Sequence, residues 1–313
     1  MNPTDDQAER LVAALDRLLD GESAVAALVA LGSRAIGPLR RFLLEGRPST
    51  VYQPRRWAVQ ALGGLDAKEV LIEYLTSLPP IADPQIRLAE EAVENAALRE
   101  FVRWPGAETT AFLLALSKDR MRAGLVEAFG KLGVVEAIPY LDRALEDDYT
   151  RLAAEQALKS IGEPAREALL LSATIALPRG APETPSSLRR RQSVLRVLAE
   201  LGMRPDDWPR LRELVWEPDP EIAIRTCALA VQAGLREDRE AVIGRLVAVA
   251  GQAPWFLQED IVACLLSWFD AARPLIEAEI ARRARAPEIE QAQDQCLRLL
   301  RRVMRRGLEA RGV

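Results

Sequence analysis

The sequence predicts an all-α fold, a right-handed α-solenoid of about eight helix pairs ended by one further helix. Three observations predict it. Alanine, leucine and arginine dominate while aromatics make up only 5% of the 313 residues, and residues of that kind lose little entropy in a helix. An arginine-led helical segment recurs at intervals of 29 to 40 residues. Each recurrence is followed by a second run whose apolar residues fall at helical spacing, so one unit has the length of a two-helix repeat.

The elements follow in order. The opening "MNPTDDQAERLVAALDRLL" is acidic and amphipathic, with Thr4 and Gln7 placed as a capping box. It has neither the basic nor the apolar region of a signal peptide. The first unit carries Gly21 where later units carry arginine, and its second helix is "SRAIGPLRRFLLEG". Arg55, Arg87, Arg122, Arg151 and Arg191 then lead five units. Ten and eleven residues after them stand Leu65-Asp66, Ala97-Leu98, Leu132-Gly133, Ile161-Gly162 and Leu201-Gly202. Six residues after each arginine comes Ala61, Val93, Ala128, Ala157 or Val197, the small apolar step of a packed helix. Glycine between the helices suits a left-handed C-cap, and Pro38, Pro139 and Pro164 sit where a first turn tolerates a missing N–H. Arg225 lies off register, nine residues before Gly234, and the eighth unit, "WFLQEDIVACLLSWFDAARPLIEAEI", keeps only its two apolar helices. A Pro-rich stretch, "LPRGAPETPSS" at 177–187, reads as a loop inserted between the fifth and sixth units. Followed by Arg189-Arg190-Arg191, it is a candidate for contacts outside the repeat surface. A basic capping helix is expected over 287–306, and the whole chain, 1–313, is expected to be one array.

The fragments "DPQIRLAEEAV", "KDRMRAGLVEAFGKLGVVEAIPYL" and "DDYTRLAAEQALKSIG" resemble the HEAT repeat, in the short HEAT-like form of phycobilin lyases, over roughly residues 19–286. In proteins of that kind the acid and arginine that open each first helix form a ladder between neighbouring repeats. Asp83–Arg87, Asp119–Arg122 and Asp148–Arg151 occupy that place here, and the resemblance implies a structural ladder. A catalytic pair would occur once, whereas this one recurs.

The resemblance also places the second helices on the concave side, so their charge bears on a partner. Taken as 36–45, 68–78, 108–117, 136–147, 163–172, 206–217, 237–250 and 270–281, they hold ten basic and twenty acidic residues, a net of −10. Such a face repels phosphate, which argues against nucleic acid, and attracts a protein with a basic or neutral surface. Arg143, Trp208, Arg210 and Trp216 read as a partner-binding group on these helices, since Trp and Arg dominate interface hot spots. Residues 282–313 reverse the sign, with nine arginines and four acids. Leu297, Leu300 and Met304 form one stripe there, and the arginines read as the solvated face of a cap rather than a nucleic-acid contact.

Several chemistries are excluded. Histidine is absent, which removes Ser–His and Cys–His nucleophiles and the commonest zinc ligand. Cys227, Cys264 and Cys296 have no CxxC spacing and read as buried, reduced thiols of a cytoplasmic protein. Glu90, Glu91 and Glu94 share a helix and read as a solvated face rather than a metal site. No apolar run is long enough to span a membrane. No catalytic constellation, metal or cofactor is expected. The leading reading is a non-enzymatic interaction scaffold. The alternatives are a HEAT-like enzyme, lyase-like or DNA-glycosylase-like, and a subunit that binds nucleic acid through its arginine-rich end.

Overall fold

The computed structural model describes residues 3–17, 20–78 and 80–312. The Thr4 side chain, expected in a capping box, lies outside the described residues. Helices with short turns make up the fold, with no strand among the described residues. They group into two compact units, Met1–Ala144 and Leu145–Val313.

The first unit runs through α1 (Pro3–Leu15), α2 (Gly21–Ala30), α3 (Ile36–Leu44), α4 (Gln53–Gly64), α5 (Lys68–Thr76), α6 (Pro84–Glu100), α7 (Ala107–Leu116), α8 (Ala123–Leu132) and α9 (Ile138–Ala144). Helices two apart in the chain pack on each other, α2 on α4, α4 on α6 and α6 on α8, and the shorter helices between them flank this row. Its core holds Leu28, Leu62, Val93, Phe101, Leu125 and Phe129, all out of solvent. The residue expected to lead the first unit, Gly21, lies under the Trp57 ring, where a Cβ would come 2.0 Å from a ring carbon. A larger residue there would have to displace the Trp57 ring.

Two C-caps show how the pairs turn. Gly133 ends α8 in the left-handed region, φ 65° and ψ 37°, as its position predicts. Asp66 stands where the α4 unit lacks a glycine and takes φ 58° itself, a conformation that Asp tolerates better than most residues. Behind Ala97-Leu98 there is neither, and α6 simply runs on to Glu100.

The second unit runs through α10 (Arg151–Ile161), α11 (Arg166–Thr174), α12 (Pro185–Leu201), α13 (Trp208–Leu211), α14 (Pro220–Gln232), α15 (Arg239–Val249), α16 (Gln258–Ser267), α17 (Phe269–Arg283), α18 (Glu288–Gln293) and α19 (Gln295–Glu309). The same alternation recurs, α10 on α12, α12 on α14, α14 on α16, and α16 on α19. The terminal helix expected over 287–306 is two helices. Asp294 has an extended backbone, and its carboxylate accepts from the Leu297 N–H at 3.0 Å, so it ends α18 and caps α19. Cys296, Leu300 and Val303 of α19 are buried, and Gly307 lets the Phe269 ring approach closely. Arg302 and Arg306 pair with Glu259 at 2.7 and 3.0 Å. These arginines fasten α19 to α16 as a cap does.

The stretch at 177–187 is exposed over 178–182 and anchored at its C-terminal end. Thr184 caps α12 by accepting from the Ser187 N–H at 3.1 Å. Arg191, 2% exposed, donates to the Ala173 carbonyl at 2.8 Å and pairs with Glu183 at 2.8 Å and with Glu217. Arg190 is buried too. Arg191 thereby anchors the end of the loop at Glu183, while Arg190 pairs with Glu146 at 3.6 Å.

Candidate functional site

Of the four residues expected to form a partner-binding group, the three in the second unit lie in different surroundings. Trp208 is buried, and its indole N–H donates to Asp238 at 2.6 Å. Arg210 pairs with Glu167 at 2.6 Å, and that hydrogen bond holds the Glu167 carboxyl below its usual range. Trp216 is 59% exposed. Arg143 belongs to the first unit, with its guanidinium carbon 6.0 Å from the Tyr140 ring centre. The reason for the difference is local. The helix read across 206–217 is one α-turn, α13, followed by a 3₁₀ stretch, Arg212–Trp216. The 3.6-residue period therefore does not run through it, and the two tryptophans face different surroundings.

Trp216 ends the 3₁₀ stretch. Its 3₁₀ stretch packs on α15, and α15 packs on α17. Between α15 and α17 runs a groove of about 510 Å³. Gly244, Val247 and Ala248 line one side and Leu275 and Ala278 the other, with Leu275 exposed. Glu279, Arg282 and Arg283 form its rim, where the hydrogen bond from Arg282, followed by that from Arg283, holds the Glu279 carboxyl down at about 2. An apolar floor with a charged rim is the composition of a protein-binding groove.

Of the three expected acid–arginine pairs, one makes an ion pair, and it is local. Asp83 is an N-cap, accepting from the Gln85 and Ile86 N–H groups at 2.8 and 3.1 Å, and makes no ion pair with Arg87. Arg122 pairs with Glu94 at 2.7 Å rather than with Asp119. Asp148 and Arg151 do pair, at 2.5 Å, but as an i,i+3 contact with Asp148 62% exposed. Contacts between neighbouring helices are made by glutamates that the local spacing does not reveal. Arg55 of α4 donates to both oxygens of Glu90 on α6, at 3.0 and 2.8 Å. Arg196 of α12 bridges Glu155 of α10 and Glu221 of α14, at 2.6 and 2.9 Å. Glu90, Glu94 and Glu155 are buried. The available signal was that Glu90 and Glu94 share the stripe of Val93 and Ala97 and so face inward with them.

These glutamates line a cavity of about 350 Å³ in the first unit. Leu78, Pro80 and Ile81 make its apolar wall, and Arg87, Glu91, Arg120 and Arg122 complete its polar side. Glu90 is saturated by Arg55 and by the Tyr74 hydroxyl, which donates at 2.5 Å. Burial, then the charge of Glu90 beside it, pushes the Tyr74 phenol far above its usual range. Glu94 accepts from Arg120 and Arg122 at 2.8 and 2.7 Å.

Among the described residues no group of three His, Cys, Asp or Glu is arranged to hold a metal ion. No helix among them is long and apolar enough to cross a membrane. Comparison with protein-family models and with the curated proteins gives no match.

Proposed function

We propose that the chain is a non-enzymatic interaction scaffold built from about eight HEAT-like helix pairs, wound right-handedly within each unit, that binds another protein on its second helices. The pairs are α2–α3, α4–α5, α6–α7, α8–α9, α10–α11, α12–α13, α14–α15 and α16–α17. The observation that carries the reading is the apolar groove between α15 and α17, together with an exposed Trp216 on the 3₁₀ stretch that packs on α15. Both belong to the segments that such repeats offer to partners.

The partner's surface is basic or neutral, because the second-helix spans of this unit, 163–172, 206–217, 237–250 and 270–281, hold six basic against twelve acidic residues. Absence of histidine weighs against an enzyme, and the three buried free cysteines suit a reducing compartment such as the cytoplasm. The test is affinity capture from the native cell with the intact chain and with Trp216→Ala plus Leu275→Asp. A protein held by the first and lost by the second supports the reading. A partner retained equally by both removes it.

A further inference from the structure

The cavity beside α6 has donors that the fold leaves unused. Arg87 lines it, is exposed, and makes no ion pair among the described residues. Arg120 spends Nη1 on the Leu75 carbonyl and Glu94, at 3.3 and 2.8 Å, and its Nε and Nη2 make no hydrogen bond. Glu90 and Glu94, by contrast, have every oxygen engaged by arginine or tyrosine. The unspent donors of Arg87 and Arg120 therefore call for an acceptor, while Glu91 keeps a 3.4 Å ion pair with Arg122. Among the lining residues the guanidiniums of Arg87, Arg120 and Arg122 balance the carboxylates Glu90, Glu91 and Glu94, and Arg55 neutralises Glu90 from outside the cavity. Facing them, Leu78, Pro80 and Ile81 form a wall without a charge.

We propose that this cavity binds a small monoanionic carboxylate with an apolar body, its carboxylate on Arg87 and Arg120 and its body against Ile81 and Pro80. Guanidinium forks match a planar carboxylate, which can accept two parallel N–H bonds. A monoanion meets less repulsion from the three fixed carboxylates than a dianion such as phosphate does. The cavity's 350 Å³ has room for roughly ten non-hydrogen atoms, at about 30 Å³ of liquid volume per water, which is the scale of a branched short-chain acid.

The test is calorimetric titration of the intact chain with 4-methylpentanoate, with 4-methylpentanamide of the same shape, and with inorganic phosphate. The carboxylate is expected to bind at one site per chain, and the amide and phosphate at least tenfold more weakly. Arg87→Ala is expected to lose at least tenfold in carboxylate affinity with an unchanged melting temperature, since Arg87 is exposed and holds nothing else in place. Ile81→Asp tests the wall independently and is expected to lose binding as well. The proposal is overturned by no saturable binding of the carboxylate up to about 10 mM, well beyond the millimolar range of weak ligands. Equal or tighter binding of the amide or of phosphate, or unchanged affinity in either variant, overturns it too.

Discussion

Arg55 on α4 and Glu90 on α6, 35 residues apart in sequence, meet through two parallel hydrogen bonds of 3.0 and 2.8 Å, with both side chains buried. The Tyr74 hydroxyl closes the pair by donating to the same carboxylate. A buried pair of this geometry contributes mainly by what its loss leaves behind. Removing one partner strands a desolvated charge, whereas replacing both with apolar residues does not.

Glu90→Ala should therefore destabilise the first unit by about 3–5 kcal/mol, because the Arg55 guanidinium stays buried without its carboxylate. The double change Arg55→Met with Glu90→Leu should recover most of that loss. Urea unfolding of the parent and the two variants measures both. A Glu90→Ala protein as stable as the parent would remove the pair from any structural role.

Arg151→Ala should cost far less, under about 1 kcal/mol, because exposed ion pairs contribute little. Its partner Asp148 is 62% exposed and sits only three residues away. Glu94→Ala, which leaves Arg120 and Arg122 without their shared carboxylate, is the informative contrast at about 3 kcal/mol or more. Equal losses at the two positions would contradict the distinction between local and inter-helix pairs.

That distinction marks where the sequence stops being legible. The positions of the helices follow from apolar period, glycine stops and prolines, and the expected second helices lie within a few residues of α3, α5, α7, α9, α11, α15 and α17. The partners of the arginines do not follow. Asp83 precedes Pro84, and its carboxylate is spent on the N–H groups of the first turn, so the nearest acid in sequence is not the acid that pairs. Glu90 and Glu155 lie 35 and 41 residues from the arginines they hold, and no periodicity within one helix specifies a contact to another. The terminal helix breaks at Asp294 for a similar reason. A capping side chain competes with helix continuation, and the buried face of α19 decides the outcome.

The thiols give a pH dependence. Burial pushes all three up, Cys264 to about 12 and Cys296 to about 11, with Cys227 raised as well. In the unfolded chain they titrate near about 8.5. Above that pH the unfolded chain releases protons that the folded chain retains, which favours unfolding. The stabilisation is complete below about pH 8.5 and falls as pH rises toward 11 to 12. Unfolding midpoints at pH 8 and pH 10 should differ less in Cys264→Ala than in the parent. An identical difference in both would show that the thiol does not titrate on unfolding.

Gly307→Ala tests how α19 is seated. A Cβ there would lie 2.2 Å from a carbon of the Phe269 ring, so the helix or the ring must move, at about 1–3 kcal/mol. Thermal unfolding should show the loss, and pairing the change with Phe269→Leu should reduce it. A neutral Gly307→Ala would mean that α19 is not packed against α17 as described.

The two tryptophans of 206–217 separate folding from function. Trp208 is 5% exposed and its indole N–H is satisfied by Asp238, so Trp208→Ala leaves a cavity and leaves Asp238 with Arg212 alone. The expected loss is about 3–5 kcal/mol. Trp216 is 59% exposed, and Trp216→Ala should change stability by no more than about 0.5 kcal/mol, the usual range for surface substitutions. If the groove beside α15 is where a protein docks, the same substitution should weaken that partner by at least tenfold, about 1.4 kcal/mol. An exposed indole becomes worth that much only when a partner excludes water around it. The pattern to look for is a stable Trp216→Ala chain that no longer binds, beside an unstable Trp208→Ala chain whose folded fraction still does. Full affinity in Trp216→Ala would move the docking surface away from these helices altogether.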